Sequence, residues 1–240
     1  MFELPWQYEP AGDLNRPLTY KLASCPREPD MLVYGLRLIA AVTLRTWLAT
    51  YHQLSIVGRD HLPASGSCVL VANHSSHLDV LCMLSALPLR TLHRVFPAAA
   101  RDYFFVNLPR IAFSAVFINA TPFARDAHPR QSLESCRRLL AHPGNTLILF
   151  PEGTRSTTGT VARFRRGIGS LVAGSNVPVI PCALQGAAHA WPKGTLLPRP
   201  RPVRLMIGER RTYQSLRPGR ESAEYIANDL QIAVEKLLCS

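Results

Sequence analysis

Short apolar runs and amphipathic stretches alternate along this chain from residue 54 onward. Residues 67–72 and 146–150 predict strands, and 68–72 is a continuous apolar run, the pattern of a strand buried on both faces. Residues 54–57, 95–98, 115–119, 178–184 and 203–207 predict further strands, and 58–66 is turn-rich. Over 129–142 the period changes to that of a helix. Leu133, Cys136, Leu139 and Leu140 share one face, and Gln131, Glu134, Arg137 and Arg138 the other. Pro129 suits the first helical turn, and Pro143-Gly144-Asn145 stops the helix. Helices are also predicted over 78–87, closed by Pro88, over 167–174, and over 222–238, where Ile226, Leu230, Ala233 and Leu237 line one side. Residues 103–113 form a short apolar segment broken by Pro109. Strands alternating with helices predict an α/β fold, a mostly parallel sheet flanked by helices. In such sheets functional side chains gather at the C-terminal ends of the strands.

The N-terminal part reads differently. Residues 1–30 form a polar, proline-rich irregular arm with no signal-peptide pattern. Residues 31–54 are the greasiest long stretch, with a helix over 31–52, but Arg37 and Arg45 interrupt it. A spanning helix needs about 20 predominantly apolar residues. We therefore expect a membrane-associated helix lying in or against the bilayer interface, its arginines reaching headgroups; a core helix of a soluble protein is the alternative. No strong linker follows, so the expected organisation is an arm and helix over 1–53 and one domain over 54–240.

Charge sharpens this picture. The 240 residues carry a net charge of +11, with 47% hydrophobic and 18% charged positions, an ordinary globular balance. Residues 153–208 contain no acid, yet hold Arg155, Arg163, Arg165, Arg166, Lys193, Arg199, Arg201 and Arg204; residues 31–58 are also acid-free. Such clustering makes a basic face for anionic lipid, phosphorylated small molecules or nucleic acid. No recognised nucleic-acid motif or basic-aromatic stripe is present, so no nucleic-acid partner is expected. The cysteines at 25, 68, 82, 136, 182 and 239 form no C-x-x-C pair and read as buried small hydrophobes.

Two loops carry candidate chemistry. Asn73-His74-Ser75-Ser76-His77-Leu78-Asp79 follows a buried strand and precedes a helix. A histidine near neutral pKa can take a proton from a hydroxyl, and a carboxylate fixes its tautomer and stabilises the imidazolium. His74 and Asp79 lie across a tight turn that can fold one onto the other. A metal reading through His74, His77 and Asp79 fits no trusted zinc spacing, so no metal is expected and His77 reads as a supporting residue. Phe150-Pro151-Glu152-Gly153-Thr154-Arg155-Ser156 follows a second buried strand. Gly153 allows close backbone approach, Thr154 and Arg155 offer donors, and the arginine fork suits a phosphate.

Together, Asn73-His74-x4-Asp79 and Phe150-Pro151-Glu152-Gly153-Thr154-Arg155-Ser156 resemble the glycerolipid acyltransferase family, whose best-known members are 1-acylglycerol-3-phosphate acyltransferases. Ala100-Arg101-Asp102-Tyr103-Phe104, Phe164-Arg165-Arg166-Gly167 and Val177-Pro178-Val179-Ile180-Pro181 resemble further blocks in order, and the likeness spans about residues 54–208. The resemblance implies that His74 is a general base toward an acceptor hydroxyl and that Asp79 orients and charge-stabilises it. Glu152, Gly153, Thr154 and Arg155 would hold the acceptor, with Arg155 on its phosphate, and Pro181 would line the acyl side. The second block departs: Val116-Phe117-Ile118-Asn119-Ala120-Thr121-Pro122-Phe123-Ala124-Arg125 lacks the usual glycine. Arg125 maps to the phosphate-contacting arginine, and the acceptor stays open among lysophosphatidate, another lysophospholipid and a hydroxylated lipid. The implied partners are membrane lipids, a lysophospholipid acceptor, and acyl-CoA or acyl carrier protein as donor. No cofactor is implied, and the implied place is the cytoplasmic face of the cell membrane, with peripheral or interfacial attachment. Two other readings use the same features: a non-enzymatic polyanion binder, and a hydrolase turning the His–Asp pair on water.

Overall fold

The computed structural model describes residues 31–100, 121–123, 129–156, 159–192, 194–195 and 197–240. Its centre is a seven-stranded sheet. In chain order the strands are β1 (Ser55–Val57), β2 (Cys68–Ala72), β3 (Val95–Ala100), β4 (Thr121–Phe123), β5 (Thr146–Leu149), β6 (Val179–Gln185) and β7 (Arg204–Ile207). Their spatial order is β1-β7-β6-β2-β5-β3-β4. β6, β2, β5, β3 and β4 run parallel, while β7 pairs antiparallel with β6 and carries β1 along with it. The sheet is thus mostly parallel and flanked by helices, as the alternating pattern predicts.

Pleating divides the apolar side chains into two cores. Leu70, Ile148, Ile180 and Leu205 face one side, which is closed by α1 (Met31–Tyr51), α2 (Leu78–Ala86) and the short α5 (Ala187–Ala190). Val69, Val71, Leu147 and Ala183 face the other, closed by α3 (Pro129–Ala141), α4 (Gly167–Val172) and α6 (Arg220–Leu238). All five residues of β2 are buried, which is why that stretch has no polar alternation. Cys68, Cys82, Cys136 and Cys182 are buried thiols and Cys239 is exposed; Cys25 lies outside the described residues.

Three features differ from the expected elements. Thr121–Phe123 adds an edge strand, Ala187–Ala190 adds a helical turn, and 3₁₀ turns occupy Arg59–His61 and Leu89–Arg94. The expected segments 103–113 and 115–119, and the 1–30 arm, lie outside the described residues.

The first helix is where it was expected, but its arginines point the wrong way for headgroup contact. Arg37 is buried, and the Arg45 guanidinium donates to the Leu87 carbonyl. The outer side carries Leu36, Leu38, Ile39 and Val42 instead. Thr43, Thr46 and Thr50 complete that side, and each hydroxyl donates to the carbonyl four residues earlier. Back-bonding hides the threonine hydroxyls and leaves their methyl groups outward. The helix therefore turns its charges toward the protein and an aliphatic surface away from it. Among the described residues no helix is long and apolar enough to cross a membrane.

Candidate active site

The C-terminal ends of β5, β2 and β6 lie side by side. Val71 is opposite Leu149 and Ala72 opposite Cys182. Extending these registers brings His74 level with Glu152 and Asn73 near Leu184. The Asn73 side chain exploits this: Nδ2 donates to the Leu184 carbonyl at 3.0 Å and Oδ1 accepts the Leu184 N–H at 2.8 Å. One buried amide thus replaces the backbone ladder where β2 turns away. On the other flank the His74 N–H donates to Glu152 Oε1 at 2.7 Å, and the Ser156 N–H donates to the His74 carbonyl at 2.8 Å.

The turn after His74 folds Asp79 back onto the imidazole. His74 Nδ1 lies 2.8 Å from Asp79 Oδ2. The same oxygen accepts the Ser75 N–H at 2.7 Å and the Ser76 N–H at 2.8 Å. A carboxylate only accepts, so it holds the proton on His74 Nδ1 and leaves the Nε2 lone pair available. Phe150 stacks on the ring at a centroid distance of 4.2 Å and an interplanar angle of 22°, fixing its plane. Asp79 is fully buried, while the His74 side chain keeps 17% of its surface exposed. The arrangement is a buried carboxylate, an oriented imidazole and an outward-facing basic nitrogen. Ser76 anchors it by donating to the Trp191 carbonyl at 2.8 Å and accepting the Leu78 N–H at 3.1 Å.

His77 sits beside this pair, tilted against Trp191 at 5.4 Å. Burial pushes its pKa down to about 4, with the Arg155 charge and His74 acting in the same direction and Asp79 opposing. It is a neutral imidazole at pH 7, so Arg155 is the cationic partner of this pocket edge.

Glu152 is turned inward, between the two loops. It is 4% exposed, and besides the His74 N–H it accepts the Ala162 N–H on Oε2 at 3.0 Å. Burial pushes its carboxyl up from the ordinary glutamate range, and the two N–H donors and nearby His74 pull it back. Glu152 ties the two loops together and so sets the height of His74 without facing solvent. Gly153 follows with φ +77°, a left-handed conformation that favours glycine. A Cβ there would lie 2.7 Å from Arg165 Nε, so the guanidinium of Arg165 rests on the Gly153 backbone. Thr154 is exposed and Arg155 partly buried on the same loop. The expected phosphate-contacting Arg125 lies outside the described residues.

Glu152→Gln tests the tie. Glutamine keeps one acceptor but presents an NH2 group to an N–H, replacing a hydrogen bond of a charged group, worth about 1.5–3 kcal/mol, with a clash of donors. Turnover should fall about tenfold or more, with faster amide exchange at His74 and Ala162. Unchanged exchange at both amides would show that the carboxylate holds neither loop.

Sequence reasoning missed Asn73, Phe150, Ser76 and Arg165 as parts of this site. Their partners are 12 to 115 residues away, from Arg165 on Gly153 to Ser76 on Trp191, with the Asn73–Leu184 separation at 111. The placement of both loops directly after buried strands was the available signal for the Phe150 stack.

The acyltransferase family model matches residues 53–185. A chloroplastic 1-acyl-sn-glycerol-3-phosphate acyltransferase of Brassica napus is 31% identical over 148 residues, covering 60% of this chain and 41% of that protein. The corresponding protein of Chlamydomonas reinhardtii is 33% identical over 149 residues, covering 61% and 42%. The alpha form of 1-acyl-sn-glycerol-3-phosphate acyltransferase from Mus musculus is 28% identical over 141 residues, covering 59% and 48%. The chain thus spans roughly 40% to half the length of these curated relatives. The crystal structure of the 1-acyl-sn-glycerophosphate acyltransferase PlsC from Thermotoga maritima superposes with a TM-score of 0.64 at 25% identity, covering 87% of this chain and 80% of that one.

Proposed function

Because this chain belongs to the acyltransferase family, we propose that it moves a fatty acyl group from acyl-CoA or acyl carrier protein to the free hydroxyl of a lysophospholipid, 1-acylglycerol-3-phosphate, in phospholipid biosynthesis. The observation that carries this reading is the Asp79–His74 contact at 2.8 Å, which presents an unprotonated Nε2 at the end of a central parallel strand. Nε2 takes the proton of the acceptor hydroxyl as its oxygen attacks the thioester carbonyl carbon. Asp79 stabilises the imidazolium while the tetrahedral intermediate forms. Collapse breaks the carbon–sulfur bond, and the imidazolium returns its proton to the leaving thiolate. The products are an ester and a free thiol, and the base is ready for another turn. Arg155, Arg165 and Arg125 supply charge for the acceptor phosphate, a task that guanidinium forks suit. The named activity of the relatives and of the Thermotoga protein supports this acceptor.

The amphiphilic acceptor implies a lipid surface, here the cytoplasmic face of the cell membrane. The aliphatic side of α1, with Leu36, Ile39 and Val42, lies in the bilayer interface, while Arg37 and Arg45 stay against the protein. The attachment proposed is peripheral or interfacially embedded.

The test is product identity. Purified protein incubated with radiolabelled acyl-CoA or acyl carrier protein and 1-acylglycerol-3-phosphate in vesicles should yield phosphatidate. Label appearing as free fatty acid at the same rate with and without acceptor would make the chain a hydrolase. Label passing only to another lysolipid would keep the reaction and replace the acceptor.

A further inference from the structure

We propose that the segment over residues 197–202 is a second membrane-docking element, which seats Leu197 in the interface of an anionic bilayer beside the first helix. The inference rests on the membrane reading of α1 given above and adds a separate surface to it.

Leu197 is the most exposed of the large hydrophobic residues described, at 74%. It does not belong to a loose excursion. The Tyr51 hydroxyl donates to the Pro198 carbonyl at 3.1 Å, and the Arg199 N–H donates to the Ala190 carbonyl at 2.7 Å. His52 Nδ1 donates to the Arg201 carbonyl at 3.2 Å, and the Val203 N–H donates to the His52 carbonyl at 3.0 Å. Three of these ties reach Tyr51 and His52, where α1 ends, so the loop is fastened to the C-terminal end of the helix. The loop is therefore held in a fixed position beside the C-terminal end of the helix.

Burying an exposed leucine away from water is favourable, and a held loop loses little further conformational freedom on docking. Charge identifies the occupant. Arg199 and Arg201 follow Leu197 with exposed side chains, alternating with Pro198, Pro200 and Pro202. No acidic residue occurs anywhere in 153–208. An apolar tip beside guanidinium groups fits the boundary between acyl chains and anionic headgroups. The two arginines of α1 are turned inward, so this loop supplies cationic groups that the outer side of the helix lacks.

Single thiols at residue 197 or 39 test this, since Ile39 is also exposed, at 67%. Cys25 and Cys239 are first replaced by serine; the other four cysteines are buried. Leu197→Cys and Ile39→Cys variants carry an environment-sensitive fluorophore. Each is mixed with phosphatidylcholine vesicles, with or without phosphatidylglycerol, containing acyl-chain spin labels as quenchers. The proposal predicts quenching at residue 197 on anionic vesicles. It also predicts that Arg199→Gln with Arg201→Gln lowers affinity for those vesicles about 25-fold, about fivefold for each charge, with no comparable loss on phosphatidylcholine alone. Quenching at 39 but not at 197 overturns the loop inference and keeps the helix. Quenching at 197 but not at 39 supports the loop and overturns the helix reading. A spectral shift at 197 without lipid quenching means that the loop docks on a protein instead, and overturns the proposal.

Discussion

His74→Ala lowers acyl transfer by on the order of 10²–10⁴-fold, the range a positioned general base contributes. The substitution removes the only group whose basic nitrogen is oriented outward by a buried carboxylate among the described residues. The acceptor hydroxyl would then attack without proton removal, through a far poorer nucleophile. The loss belongs in kcat, because the Arg155 and Arg165 guanidinium groups proposed to hold the phosphate are untouched. The loop should survive: Asp79 Oδ2 keeps the Ser75 and Ser76 N–H donors, and Glu152 keeps the His74 backbone N–H. An unchanged melting temperature together with a collapse in turnover is the expected pair of observations, read by thermal unfolding and thiol release.

Asp79→Asn has the second-largest effect, again on the order of 10²–10⁴-fold and for a different reason. Three N–H donors converge on one oxygen of Asp79, while Oδ1 has no hydrogen-bond partner among the described residues. The asparagine oxygen can satisfy the Ser75 and Ser76 backbone donors, so the turn retains its shape. Its neutral amide cannot stabilise an imidazolium. If its NH2 faces Nδ1 it also favours the tautomer with the proton on Nε2, which is the wrong nitrogen for a base. The ring then remains in place and inactive. Asp79→Glu would not rescue it, since one extra methylene must fit in a site with no exposed surface. Measured kcat for the asparagine variant near that of the wild type would remove the carboxylate from the account.

Much of this architecture is legible from local pattern, and the exceptions have physical causes. β2 and β5 read directly because both faces of each are covered, so their sequences carry no polar alternation. Thr121–Phe123 was not legible as a strand because Pro122 lies within it; the strand is at the sheet edge, where a missing N–H is tolerated. Pro181 lies inside β6, yet the strand forms. The proline is beyond the last ladder pair with β7, Cys182 with Ile207, and still accepts the Gly208 N–H at 2.8 Å. Its missing donor therefore costs one bond at the end of a ladder.

The direction of the α1 arginines could not be read. A helix that is apolar nearly all round has no polar side to orient it, and an arginine in such a helix reads as solvent-facing until its partners are known. Here the Arg45 partner is a carbonyl 42 residues away. The His74–Asp79 contact was legible because it is local, five residues across one turn. The setting of Glu152 was not, because its donors at His74 and Ala162 come from separate loops. A carboxylate in a glycine-containing loop looks like a ligand-facing group, and only the fold shows it turned inward.

The central claim is that Asp79 acts through His74 on the acceptor hydroxyl, and a double-mutant cycle on kcat tests it most directly. Residues that work as one unit give non-additive losses. Turnover of the wild type, His74→Ala, Asp79→Asn and the double variant is measured with the same thioester donor and 1-acylglycerol-3-phosphate. The account predicts that Asp79→Asn, severe in the wild type, changes the residual rate of His74→Ala by less than about threefold. A loss in the His74→Ala background as large as in the wild type would contradict it, because the carboxylate would then contribute without the imidazole.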